Sequence, residues 1–296
     1  MRGYLFALIA TAIWSGNFII ARGLSDSIPP VSLAFWRWVV AIIFFLPFAL
    51  RHLLAERMLL KEHIRYLSVT AALGITVFNT LIYIAGHTTS ALNLSLISIT
   101  FPIFIVVLMR IFYRELISIK KGFGICLVSI GVVLLITKGD PSILLSISFS
   151  VGDIWMLAAS LTFAIYSIQL RRKPKQLSVW TMQLSTFLLG LMFLLPFFLW
   201  ESVVTPEIQW SITTIGSILY VGIFASLTAF ILWNKAILAI GPTKAGMIYY
   251  TLPLFSGILA YMFLQESFSG LHFFSAGLIL LGVFVTTYEK QSSGKE

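Results

Sequence analysis

Charge is scarce in this chain. Only 10% of its 296 residues are Asp, Glu, Lys or Arg and 59% are apolar, where a soluble domain carries roughly 25% charged and roughly 45–50% apolar residues. That deficit excludes a water-soluble globular protein and predicts an all-α membrane protein. Cysteine is nearly absent as well. The single Cys126 cannot form an internal disulfide, and no Cys/His cluster has zinc-ligand spacing, which leaves the redox compartment open. The four histidines, His52, His63, His87 and His272, fall in loops or near the ends of apolar runs, and no aspartate pair lies inside one. An intramembrane enzyme needs a nucleophile with its base, an aspartate pair or a metal cluster. The reading is therefore a non-enzyme with no cofactor and no metal.

Long apolar runs are what the chain has in place of these. A bilayer core of roughly 30 Å takes about 20 helical residues, and ten runs qualify: 3–21, 31–50, 64–85, 89–109, 119–137, 151–170, 178–199, 212–234, 243–264 and 270–287. Pro29-Pro30, the basic run Arg171 to Lys175, and Gly241-Pro242 punctuate them. The first run begins with Arg2 as a signal peptide would, but no polar mature domain follows it, so it reads as retained. The connections are too short to hold a soluble catalytic domain. With the N-terminus inside, 17 lysines and arginines fall in cytoplasmic loops and tails and only Arg22 and Lys138 outside, so the positive-inside rule puts both termini in the cytoplasm. This asymmetry also accounts for the basic balance without nucleic acid, whose readers gather basic groups on a soluble face.

The sequence is written twice. "TFPIFIVVLMRIFYRE" at 100–115 and "TLPLFSGILAYMFLQE" at 251–266 share a Thr-x-Pro-x-Phe start and a glutamate thirteen residues beyond the proline. Gly131 and Gly282 keep the same offset, and "FFLPF" at 44–48 echoes "FLLPF" at 193–197. Five runs precede the segment 139–150 and five follow it, so an odd number of crossings inverts the second copy. The expected organisation is a first repeat at 1–138, a linker at 139–150, a second repeat at 151–290 and a cytoplasmic tail at 291–296. The fold expected is ten transmembrane helices in two inverted five-helix repeats around a central cavity, the build of secondary transporters. Pro102 and Pro253 fall near mid-membrane, where each either kinks its helix permanently or serves as a moving hinge. Glu115 and Glu266 fall at opposite surfaces.

Several stretches carry a family resemblance: "IATAIWSGNFIIARGL" in the first run, "FWRWVVA" in the second, "FNTLIYIAGHTTSALNLSLISITFPIF" across the third and fourth, "GDIWMLAASLTFAIYSI" in the sixth, and "LWNKAILAIGPTKAGMIYYTLPLF" across the eighth and ninth. Together with the two proline-to-glutamate segments they resemble the EamA family of the drug/metabolite transporter superfamily over nearly the whole chain. The resemblance implies transport of small metabolites, often export of amino acids or related compounds, in a bacterial cytoplasmic membrane. It does not name one substrate.

Polar groups inside a bilayer turn away from lipid, and helical spacing sorts them into stripes: Trp14 and Asn17; Thr76, Asn79 and Tyr83; Asn93 and Thr100; Thr162, Tyr166 and Gln169; Gly246, Tyr250 and Pro253. Asn234 lies near the inner end of the eighth run. Across the repeat Asn17 corresponds to Tyr166 and Tyr83 to Asn234. As a set these residues read as an amide-and-aromatic cavity lining, although each could instead bond or pack between helices. Arg37, the sole cation inside a run, has two readings: it snorkels to the interface beside Trp36 and Trp38, or it pairs with a protein acid or a substrate carboxylate. Phosphorylated cargo would want several converging cations, so a neutral or zwitterionic solute fits better. Asp153, Glu115 and Glu266 sit near run ends, where capping or interfacial contact explains them; Asp153 is the best of poor candidates for a proton site. The spacing of Gly124 and Gly131, repeated by Ser275 and Gly282, marks close helix contact, within a monomer or between the subunits of a homodimer. The expected partners are the lipid bilayer and a small-molecule substrate.

Overall fold

A computed structural model describes residues 1–137, 139–140, 142, 150–264 and 270–287. The described residues are helical, with no strand among them: α1 Arg2–Gly23, α2 Pro30–Ala55, α3 Arg57–Glu62, α4 Ile64–Ala71, α5 Phe78–Thr88, α6 Ala91–Ser98, α7 Thr100–Tyr113, α8 Ile119–Ile136, α9 Val151–Gln169, α10 Val179–Val204, α11 Ile212–Tyr220, α12 Ala229–Tyr249, α13 Leu252–Leu264 and α14 Gly270–Thr287. Eight continuous helical segments are long and apolar enough to cross a membrane. Their outward faces carry large apolar side chains such as Phe48, Ile111, Phe197 and Phe224, the surface that lipid covers at no cost.

Two segments contain a π turn, Ala72–Val77 between α4 and α5 and Val221–Thr228 between α11 and α12. A π turn adds a residue to the helical register and loosens the carbonyls around it. A polar side chain donates into each. Asn79 Nδ2 donates to Gly74 O at 2.8 Å and Thr228 Oγ1 to Ile223 O at 2.9 Å, each reaching back five residues. The breaks before the two prolines also match. Ile99 interrupts the helix ahead of Pro102, and Tyr250–Thr251 interrupts it ahead of Pro253. Thr100 Oγ1 then bonds Ile97 O, and Thr251 Oγ1 bonds Ile248 O. Each proline thus falls in the first turn of its helix, where its missing N–H leaves no bond broken.

The first half of the chain packs into the second. α1 lies on α12, α2 on α10, α5 on α9, and α8 on α14. The last pair meets along small residues of one chain: a Cβ on Gly124 would stand 2.8 Å from Gly282 O, and one on Gly131 3.0 Å from Ser275 O. Helices α2 and α10 cap one another. Glu201, near the end of α10, accepts Val31 N at 3.0 Å, Ser32 N at 2.6 Å and Ser32 Oγ at 2.8 Å, closing the start of α2. Glu56, just past α2, accepts Ser178 N at 2.9 Å at the start of α10. Partial burial pushes the Glu56 carboxyl upward, but its bonds with Ser178 and Thr181 and the nearby His52 outweigh that and hold it below the ordinary value. The first four N–H groups of a helix have no partner within it, and a carboxylate placed there satisfies them and complements the dipole.

Candidate functional site

Where α1, α2, α5 and α9 converge, Asn17 Oδ1 accepts from Tyr83 OH at 3.1 Å. The same hydroxyl accepts from Arg37 Nη1 at 2.5 Å, and Arg37 Nε donates to Ser226 Oγ at 2.6 Å, in the second π turn. Arg37 is 1% exposed and its guanidinium lies 5.2 Å from the Trp38 ring centre and 5.5 Å from that of Tyr83. The expectation that it snorkels to the interface is therefore corrected. Its position along α2 fixes its depth, but the packing of α2 on α10 turns it inward, and Trp38 beside it is fully buried, donating to Ile75 O in the first π turn.

A second chain of bonds repeats this connectivity among α9, α10 and α12. Tyr166 OH donates to Asn234 Oδ1 at 2.8 Å, and Asn234 Nδ2 donates to Gln183 Oε1. Tyrosine and asparagine have changed places relative to the first chain, and a glutamine of α10 ends this chain as an arginine of α2 ends the other. Each chain ends in a buried N–H without a partner, Arg37 Nη2 in one and Gln183 Nε2 in the other.

Between the two lies an aromatic layer. Trp14 meets Phe163 and Trp233, each at 5.3 Å between ring centres, and Phe230 at 5.6 Å. Phe78 stacks on Phe163 at 4.2 Å, and Phe101 meets Tyr249 edge-on at 4.8 Å. Trp14 Nε1 donates to Ala225 O, so the layer is tied to the second π turn. A cavity of about 10 Å³ lies against this layer on the Arg37 side, on the order of the space one water occupies. Trp14, Asn17, Arg37 and Asn79 line it, completed by Phe78, Ile82, Phe163 and Tyr249.

Of the residues picked from the sequence, Trp14, Asn17, Asn79 and Arg37 thus meet at the cavity, and Tyr83 holds two of them. Tyr166 and Asn234 form the second chain. Thr76 donates to Gly190 O, tying α10 to the first π turn. Asn93 lies elsewhere: its amide and the Thr89 hydroxyl bond Asp153, which also accepts Ser150 N, so Asp153 caps α9 at the junction with α6. Thr100 bonds the Ile97 carbonyl across the break between α6 and α7, Thr162 bonds a carbonyl of its own helix, Gln169 ends α9, and Tyr250 buries its hydroxyl without a partner. Glu115 accepts from Lys121 Nζ at 2.9 Å and Thr243 Oγ1 at 3.1 Å; Glu266 lies outside the described residues. Sequence reasoning missed Ser226, Gln183, Phe163 and Trp233. The first two are ordinary polar residues in apolar runs and could have been found by the test that found Asn17.

A family model matches the chain over residues 1–137 and 150–288. The chain belongs to the EamA-like transporter family. An uncharacterised transporter of Archaeoglobus fulgidus is 29% identical over 290 residues, spanning 96% of both chains. The Bacillus subtilis transporter YyaM, likewise uncharacterised, is 25% identical over 95% of this chain and 92% of its own. A solved crystal structure aligns with a TM-score of 0.75 at 17% identity over 96% of both chains, a likeness of fold alone. This EamA-like chain is accordingly a multi-pass membrane protein of a transporter family.

Proposed function

We propose that the chain is a secondary transporter that moves a small neutral or zwitterionic, amino acid-like metabolite across the bacterial cytoplasmic membrane by alternating access, in the outward direction. Its architecture in this reading is ten spans in two inverted repeats, 1–138 and 151–290, with both termini in the cytoplasm. The helical segment Ile212–Tyr249 has 38 residues, about 57 Å at about 1.5 Å each and nearly twice a bilayer core. Gly241, at φ 80° and ψ 161°, breaks it ahead of Pro242, which supports two spans there. With α14 counted as a span, the total is ten.

The observation that carries the reading is the bond chain built twice. Asn17–Tyr83–Arg37 joins the first, third and second spans, and Tyr166–Asn234–Gln183 joins the sixth, eighth and seventh. Paired π turns and reciprocal helix caps follow the same correspondence. Two near-equivalent halves supply two packings of similar free energy, which a carrier needs. Asn17 lies six residues from the end of its segment Arg2–Gly23 and Tyr166 six from the end of Val151–Arg172, about 9 Å in each case. Inversion then places one chain toward the outside and the other toward the cytoplasm, with the aromatic layer between. The cavity of about 10 Å³ is smaller than any metabolite, so in this reading the packing around it opens when substrate binds.

Counterflow in proteoliposomes holding only this protein tests the reading. Saturable exchange is expected; linear flux would make it a channel, and no flux for any solute a scaffold. For direction, overexpression is expected to deplete an internal pool and enrich the medium. A rise in the internal pool would instead indicate an importer of an amino acid-like or nucleoside-like nutrient.

A further inference from the structure

Arg37 is buried and charged, and among the described residues it pairs with no acid. Among the described residues the ion pairs are His63–Glu62 and Lys121–Glu115, neither of them near it. An uncompensated cation in a low-dielectric interior is costly, and Arg37 meets only hydroxyls and rings. The opposite half builds its bond chain without a charge, since the neutral Gln183 of α10 bonds Asn234. What the guanidinium has beyond that is its charge and an Nη2 that is buried, without a partner, in a residue lining the cavity.

We propose that Arg37 is the anchor for a single carboxylate of the transported molecule, with Trp14, Phe78, Phe163 and Tyr249 bounding the space for its apolar remainder. The word transported rests on the function proposed above; the anchor itself rests on the geometry of Arg37. Nη2 has no partner to give up, and the cavity of about 10 Å³ must widen for a carboxylate to reach it. Nη1 becomes free when it moves off the Tyr83 hydroxyl, which keeps its bond to Asn17, and the two nitrogens then present the fork that grips a carboxylate bidentately. Tyr83 thereby becomes the group that binding would displace from Arg37, breaking the bond that joins the second and third spans. A phosphate dianion is the wrong match: one guanidinium cannot neutralise it, and no second cation lines the cavity.

The test uses purified protein in nanodiscs and thermal stability as the readout. The probes are acetate, hexanoate, phenylacetate and leucine, each beside its primary amide, with sodium chloride as a separate arm. At least one acid is expected to bind about tenfold or more tightly than its amide, the advantage of a charge-assisted bond. Arg37→Gln should abolish that preference and Arg37→Lys keep part of it. Amides that match their acids, no binding by any acid, or an undiminished preference in Arg37→Gln would each overturn the proposal. Chloride stabilising as strongly as the acids would also overturn it, making Arg37 the host of an inorganic anion. Should Arg37→Gln fail to fold, the acid-to-amide comparison in the wild type decides alone. The two proposals fail differently: solute exchange without acid preference removes the anchor and leaves the transporter, whereas acid binding without exchange removes the transporter and leaves the anchor.

Discussion

Replacing Glu201 by alanine removes the cap from α2. Its carboxylate, 4% exposed, accepts two backbone N–H groups and one hydroxyl. The Ser32 hydroxyl can turn elsewhere, but the two N–H groups cannot, since no carbonyl precedes them in the helix. Leaving buried donors unsatisfied costs about 1–3 kcal/mol each, so Glu201→Ala should lose about 3 kcal/mol. Glu201→Gln keeps one acceptor oxygen but turns an amide NH2 toward the other N–H, so it should lose about 1–3 kcal/mol, the cost of one buried donor left unsatisfied. Equilibrium unfolding of the reconstituted protein by SDS, followed by tryptophan fluorescence, measures both. If Glu201→Ala lies within about 0.5 kcal/mol of the wild type, the ordinary range for uninvolved surface positions, the capping argument is wrong.

The partner cap gives a pH test. Because the folded-state value of Glu56 is depressed, its contribution is full above the ordinary value of 4.5 and lost as pH falls through the lower folded value; wild type and Glu56→Gln should therefore converge in acid, and a gap that persists unchanged at about pH 3 would contradict this. Gly124→Leu forces side-chain atoms against the Gly282 backbone, where even a Cβ would stand at 2.8 Å, so stability should fall by about 3 kcal/mol or folding should fail; Gly122→Ala, with open space around it, is the control and should be near neutral. Tyr166→Phe strips Asn234 Oδ1 of its donor and should cost about 1–2 kcal/mol, with a double-mutant cycle against Asn234→Leu recovering the coupling.

Much of this fold is legible in the sequence because its signals are local. Apolar length marks the spans, Gly241-Pro242 marks a break, and small residues at a constant offset mark the α8–α14 contact. Asn17, Tyr83, Tyr166 and Asn234 could be chosen because buried amides and phenols in lipid need partners. Azimuth was harder. Arg37 reads as interfacial from its depth and its tryptophan neighbours, and only the packing of α2 against α10 shows that it faces inward. The π turns are invisible in composition, since one added residue changes register without changing character. That shift also moves Asn79 from cavity lining alone to bonding Gly74 O. Glu56 and Glu201 look like loop charges until the two helices they cap lie side by side.

Orientation of the two halves is the claim on which the rest stands. Glu62, at the end of α3, and Glu207, after α10, are exposed in equivalent connections of the two halves. In a Cys126→Ser background, single cysteines at these positions should react with a membrane-impermeant maleimide from opposite faces, position 207 in intact spheroplasts and position 62 only after the membrane is opened. Labelling of both positions from the same face would contradict the inverted arrangement.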